Sequence, residues 1–186
     1  MEISQILTEI YPLPPESITK MCEYINEVSY PKGHIILRAG KIEKKTFFIK
    51  KGVVRAFATP GENDITFWFG EEGETVLSMQ SYVENNKGYE HVELLENCDF
   101  YEVHIRDLQE LFKTDIHISN WGRKLAEKEL VKIEKRLISR ELQSAKQRYD
   151  ELICTRPSLL QRVPLKFIAS YLGITQVSLS RIRKEK

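Results

Sequence analysis

Long apolar stretches and paired cysteines are both missing from this 186-residue chain. The longest apolar runs have three residues, such as residues 67–69, whereas a membrane-spanning helix needs about 20. The first residues carry glutamate where a signal peptide carries basic residues, so we expect a cytoplasmic protein without membrane contact. Cys22, Cys98 and Cys154 lie far apart and are odd in number, which argues against a disulfide framework and favours simple apolar side chains.

Metal-binding and redox motifs are missing as well. The four histidines are scattered, and none forms the H-x-H pair that is typical of a cupin enzyme. An iron–sulfur centre would need a cluster of cysteines, which the sequence does not have. We therefore predict no metal, no cofactor and no enzymatic activity. A cupin-like enzyme is the weaker alternative.

Charge is nearly balanced over the whole chain, with a formal net charge of +1, but it is unevenly distributed. Residues 1–122 contain 12 Lys and Arg against 20 Asp and Glu, whereas residues 123–186 contain 16 against 7. An acidic first part and a basic second part predict two modules with different partners. The basic module is suited to phosphate groups.

Short apolar runs separated by glycines fill residues 30–105. Many short strands at this spacing predict an antiparallel β-roll of the jelly-roll type. Before it, the apolar residues of segment 3–10 share one helical face. A second helix is predicted from Ser17, acting as its N-cap, to about Val28.

A long helical segment follows, because only one glycine and no proline occur between Arg106 and Tyr149. We predict a helix over residues 113–138, with a break near residues 138–140. Its apolar residues recur every three to five positions with charges between them, which predicts a seam for a second copy of the chain. The seam residues are Leu125, Ala126, Leu130, Ile133 and Leu137. The alternative is that this stripe packs only on the chain's own β-roll.

Residues 163–184, V-P-L-K-F-I-A-S-Y-L-G-I-T-Q-V-S-L-S-R-I-R-K, carry the pattern of a helix-turn-helix. The first helix is predicted over residues 165–172, and Gly173 supplies the positive φ that ends it. Thr175 is the predicted N-cap of the second helix. Ala169 is small where the two helices cross. An ordinary αα-hairpin is the alternative.

The outer face of the second helix carries side chains that can read bases, and no acidic residue lies between positions 175 and 184. Glutamine pairs with adenine, arginine with guanine, and valine contacts the thymine methyl group. Residues suited to this are Gln176, Val177 and Arg181. For the sugar–phosphate backbone we expect polar and basic side chains, namely Lys166, Thr175, Ser178, Ser180, Arg183, Lys184 and Lys186.

The order of these parts resembles the Crp/Fnr family of bacterial transcription regulators, and the tail resembles its Bacteroidetes-type branch. The motifs that carry the resemblance are G-H-I-I-L-R-A-G at residues 33–40, F-F-I-K-K-G-V-V-R at 47–55 and I-A-S-Y-L-G-I-T-Q-V-S-L-S-R-I-R-K at 168–184. The resemblance implies that Gln176, Val177 and Arg181 occupy the base-reading positions. Because the family often has Arg-Glu at the first two, its operator sequence does not carry over.

The resemblance also implies a ligand pocket, in which cyclic-nucleotide members hold the phosphate with a Gly-Glu pair and a following Arg. A buried phosphodiester needs such a guanidinium. No arginine lies between Arg55 and Arg106 in this chain, so we expect a degenerate pocket that does not bind cyclic AMP. Its residues are Gly70, Glu71, Gly73, Glu74, Lys87 and Tyr89.

Together these patterns predict an α+β protein with three parts. They are a cyclic-nucleotide-binding-like β-roll over residues 1–112, a dimerisation helix over residues 113–138 and a helix-turn-helix domain over residues 139–186. The expected function is that of a homodimeric, sequence-specific DNA-binding transcription regulator. Double-stranded DNA and a second copy of the chain are the expected partners, and RNA polymerase is a further candidate. A scaffold protein with a degenerate helix-turn-helix that no longer binds DNA is the main alternative.

Overall fold

The computed structural model describes residues 1–184 and contains two antiparallel four-stranded sheets. The strand orders are β1-β8-β3-β6 and β2-β7-β4-β5. The strands are β1 (Asn26–Tyr30), β2 (Ile35–Leu37), β3 (Lys45–Lys51), β4 (Val54–Ala58), β5 (Ile65–Gly70), β6 (Thr75–Val76), β7 (His91–Leu94) and β8 (Cys98–His104). The predicted β-roll is therefore confirmed.

The central strands of the first sheet are apolar on both faces. In β3, Phe47 and Ile49 point into the core between the two sheets, where they meet Phe100. Phe48 lies between them in sequence and points to the opposite face, because successive side chains of a strand alternate. There it packs into a second core formed with helices.

Four helices build that second core. They are α1 (Ile3–Ile10), α2 (Pro15–Cys22), α4 (Ile105–Thr114) and α5 (Ile116–Leu142), and the short helix α3 (Met79–Glu84) lies between β6 and β7. Trp121 of α5 is completely buried in this core, edge-on to Phe48. Its indole Nε1 donates to the carbonyl of Leu7 at 2.9 Å, so α5 is fixed to α1.

The predicted second helix, from Ser17 to Val28, is wrong in both bounds. Helix α2 begins at Pro15, and Ser17 lies inside it, where its buried hydroxyl donates to Asp115. Residues from Asn26 onward are not helical, because they pair with β8 and Val28 lies opposite Phe100. A long-range strand pairing has overridden a local helical pattern.

The predicted dimerisation helix also has different bounds. Asp115 ends α4 and caps α5, accepting hydrogen bonds from the amides of His117 and Ile118. Helix α5 then continues through residues 138–140, where a break is predicted, and ends at Leu142. Helix α6 follows almost immediately, since Ser144 forms a capping box at its start.

The C-terminal part is helical and packs on the β-roll. Its helices are α6 (Ala145–Thr155), α7 (Pro157–Arg162), α8 (Leu165–Leu172) and α9 (Gln176–Lys184). Their apolar side chains share one core with Val53, Phe69 and Leu95 of the β-roll. No helix within residues 1–184 has the length and apolar character needed to cross a bilayer. Lys186, predicted to contact phosphate, lies outside the described residues.

Candidate nucleic-acid interface

Helices α8 and α9 form the predicted helix-turn-helix. Gly173 has a φ of +69° and ends α8, and the amide of Ile174 donates back to the carbonyl of Ala169 at 3.0 Å. The hydroxyl oxygen of Thr175 accepts from the amide of Ser178 at 3.1 Å, which is the predicted N-cap bond. The small Ala169 and the inward-facing Leu179 are both buried between the helices. The bounds of the first helix, the turn and the cap are all confirmed.

The outward face of α9 is exposed and basic. Gln176, Val177 and Arg181 are all exposed, and Val177 keeps 63% of its surface accessible, although it is apolar. The predicted backbone-contacting residues belong to α8, α9 and the turn between them: Lys166, Thr175, Ser180, Arg183 and Lys184 are exposed, and Ser178 is half-buried. The structure thus brings the nine predicted DNA-contacting residues within positions 166–184 to one helix-turn-helix.

The predicted dimer seam is largely uncovered. Leu130, Ile133 and Leu137 expose 66%, 61% and 57% of their surface, and Ala126 is also exposed. Leu125 differs, because it packs against the second core, which α1, α2, α4 and α5 build on the chain's own first sheet. The alternative of packing on the chain's own domain is therefore correct for Leu125, whereas the other four residues form an apolar stripe open to solvent.

The predicted pocket residues lie in two separate segments of the chain. Gly70 ends β5, and the turn after it carries Glu71, Gly73 and Glu74. Glu71 and Glu74 contact Arg156 of the C-terminal part, at 2.8 and 2.7 Å. Lys87 and Tyr89 lie in the segment between α3 and β7, and both are exposed. The ring of Tyr89 lies 5.9 Å from that of Phe67 in β5.

The segment between α3 and β7 is a poor match for an anionic ligand. The side chain of Glu90 is buried there and accepts a hydrogen bond from the amide of Tyr89. A Cβ atom on Gly88 would lie 2.7 Å from the hydroxyl oxygen of Ser78 and 3.1 Å from both carboxylate oxygens of Glu90. The buried side chain of this segment is therefore the carboxylate of Glu90, which would repel an anionic ligand. The segment contains no arginine that could bind one. Within residues 1–184, no cluster of three or more His, Cys, Asp or Glu is arranged to hold a metal ion.

Arg55 lies at the contact between the β-roll and the helix-turn-helix, a role that no pattern in the sequence indicates. Its side chain lies in β4 but is almost completely buried, with the guanidinium between the rings of Phe57 and Phe167, at 4.0 and 3.8 Å. It pairs with Asp64 at 2.9 Å and Glu93 at 3.2 Å. Because Phe167 belongs to α8, this arginine joins the β-roll directly to the helix-turn-helix.

Arg162 also lies at the contact between the C-terminal helices and the β-roll, and the sequence does not indicate this role. Both of its terminal nitrogens donate to Glu72, at 2.9 and 2.8 Å, and it also contacts Glu96. The hydrogen bonds from Arg162, followed by one from the amide of Gly52, lower the pKa of Glu72 to about 2. The partners of Arg162 lie 66 to 90 positions away in sequence. The only sequence feature that indicates such a contact is the group of acidic residues at positions 71–74.

Comparisons with known proteins place this geometry in a family context. The family model of the cyclic nucleotide-binding domain matches residues 27–115. No curated protein matches the chain by sequence. The c-di-GMP-responsive global regulator CLP of Xanthomonas campestris has a similar structure, with a TM-score of 0.73, 17% identity and coverage of 92% of this chain and 91% of CLP.

Two further solved structures share the fold. The catabolite activator protein of Thermus thermophilus gives a TM-score of 0.60 at 20% identity and covers 97% of this chain and 85% of its own. A proposed transcriptional regulator of the Crp/Fnr family from Eubacterium rectale gives 0.74 at 13% identity, with coverages of 95% and 87%. The chain is therefore similar to the cyclic nucleotide-binding domain over residues 27–115, just under half of its length, and as a whole it has the fold of the Crp/Fnr transcription regulators.

Proposed function

We propose that this protein is a homodimeric transcription regulator that binds duplex DNA through α9. The observation that carries the proposal is the exposed, acid-free face of α9 on a well-formed helix-turn-helix. Gln176, Val177 and Arg181 would face base edges in the major groove. Arg183, Lys184 and Lys166 would neutralise phosphates at the rim. The similar structures from Xanthomonas and Thermus are a global regulator and a catabolite activator, which supports this assignment.

The exposed stripe on α5 supports the proposed dimer. Residues 126, 130, 133 and 137 are spaced by four, three and four positions, which is the spacing of a coiled-coil seam. A single protomer leaves this stripe in water, whereas a second copy would cover it. Two copies of α9 would then enter successive major grooves about 34 Å apart on a palindromic site.

We propose that the β-roll does not bind cyclic AMP. Arg55, the last arginine before Arg106, is held between two aromatic rings, and Glu71 and Glu74 are paired with Arg156. The described residues therefore do not fit a cyclic phosphate. Isothermal titration of the full-length protein with cyclic AMP should give no heat of binding, and a micromolar dissociation constant would overturn this statement.

Selection of bound duplexes from a random pool tests the DNA-binding function. We expect an inverted repeat whose half-site centres are about 10 base pairs apart, or a multiple of that spacing. Affinity for the selected duplex should fall steeply as salt rises, because the basic residues release condensed counterions. Absence of binding to every duplex would favour the scaffold alternative, and equal binding to all duplexes would contradict sequence-specific recognition.

A further inference from the structure

The C-terminal module contacts the β-roll through three separate sets of bonds. Arg156 donates to Glu71 and Glu74 and to the carbonyl of Phe69, and Ser158 also contacts Glu71. Arg162 holds Glu72 and Glu96. These carboxylates, Glu71, Glu72, Glu74 and Glu96, are called the acidic dock below.

The other two sets lie on the outer side of β4 and β5. The guanidinium of Arg55 is held against Phe167, as described above. The amide of Thr66 donates to the hydroxyl of Ser170 at 2.9 Å, and that hydroxyl donates in turn to the carbonyl of Asp64. Phe167 and Ser170 both belong to α8. The first helix of the helix-turn-helix is therefore seated directly on strand β5.

At the acidic dock, carboxylates from the acidic part of the chain pair with arginines from its basic part. Arg156 and Arg162 belong to the basic part of the chain, and their guanidinium groups are directed to the β-roll, where they are half-buried. Arginine forms bidentate bonds with carboxylates, and such bonds fix orientation as well as distance. A module held in this way at several points has little freedom to rotate.

We propose that the acidic dock fixes the DNA-binding module on the β-roll of its own chain, so that Glu72 and Arg162 act as positioning residues for α9. The turn between β5 and β6 then holds a protein domain where a ligand-binding turn is expected from the family resemblance. Because the dock sets the orientation of α9 relative to α5, it also sets the spacing of half-sites that a dimer accepts. This last consequence rests on the proposed function, whereas the docking itself does not.

The amide of Thr66 offers a direct reporter of docking, because its acceptor belongs to α8. Release of the module would leave this amide without Ser170 and would raise its exchange rate with solvent. For Arg162→Met we expect exchange at Thr66 to rise by about tenfold, and for Glu72→Gln by less, since Arg162 holds two carboxylates. The exchange rates of amides in β3, which pairs within the β-roll, should be unchanged.

The control variant is Arg106→Met, which removes the same charge from a residue whose side chain is 88% exposed. It should not alter exchange at Thr66. The double variant Glu72→Gln/Arg162→Met should resemble Arg162→Met alone, because both changes break the same contact. Additive effects, or unchanged exchange at Thr66 in both single variants, would overturn the docking proposal.

Duplexes with varied half-site spacing test the positioning role. Wild-type protein should prefer one spacing, and both Glu72→Gln and Arg162→Met should tolerate shifts of a base pair or more, while the affinity for a single half-site is unchanged. If Arg162→Met alone altered DNA binding, Arg162 would be a DNA contact, and its positioning role would be refuted. If wild-type protein bound no duplex while exchange at Thr66 still responded, the proposed function would fail and the dock would stand.

Discussion

Replacing Ile133 by glutamate should separate the two protomers without unfolding either. Ile133 exposes 61% of its surface in one protomer, so the dimer can cover that part. Full burial of such a side chain contributes about 1.5–3 kcal/mol, and the exposed share therefore contributes about 1–2 kcal/mol per copy. Loss of both copies raises the dimer dissociation constant at least about 30-fold, before the cost of burying two carboxylates is added.

Sedimentation velocity over a range of protein concentrations measures this change. The control is Ile138→Glu, the same substitution five residues later on α5, about 140° around the helix from Ile133. Ile138 is 51% exposed, so neither variant disturbs the protomer's own core, and circular dichroism should show unchanged helix content for both. Ile133→Glu should sediment as a monomer, whereas Ile138→Glu should remain a dimer. An unchanged dimer in the Ile133→Glu variant would refute the assignment of the seam.

Three other predictions follow from single residues. Trp121→Ala should lower the free energy of unfolding by about 3–5 kcal/mol in denaturant titrations, since the indole is fully buried and bonded to Leu7. Gly173→Ala should cost about 1–2 kcal/mol in the same assay, through its φ of +69° alone, because no atom lies within 4 Å of the added Cβ. The pKa of Glu72 lies at about 2 instead of 4.5, so its contribution to stability is complete above pH 4.5 and is lost as the pH falls toward 2. Wild-type protein should therefore lose more stability than Glu72→Gln between pH 5 and pH 3, measured by melting temperature.

The helix-turn-helix could be predicted from sequence because its determinants are local. Ala169, Gly173 and Thr175 lie within seven positions, and each has a steric or hydrogen-bonding reason that does not depend on the rest of the chain. The β-roll was predictable for a similar reason, since glycine turns separate its strands. Where a distant partner decides the structure, as β8 does for residues 26–30, the local pattern of Ser17 to Val28 predicts the wrong element.

The interface between the two modules was not predictable, because its partners are remote in sequence. Arg55 contacts Phe167 across more than a hundred positions, and Arg162 reaches Glu72 across 90. In the sequence, the acidic and basic parts indicate different partners. In the structure, part of that charge pairs within the chain, so net charge overstated how much of the basic part is free for DNA.

The most direct test of the account is to measure whether Arg181 reads a base. Binding constants of wild-type protein and Arg181→Ala should be measured on the selected duplex and on duplexes with one base pair changed at a time. Arg181→Ala should lower the binding free energy for the selected duplex by about 1–3 kcal/mol and should no longer discriminate at one particular base pair. Lys184→Ala should weaken binding to all duplexes alike. If Arg181→Ala kept the full base preference of the wild-type protein, α9 would not be reading the sequence at that position, and the central claim would be contradicted.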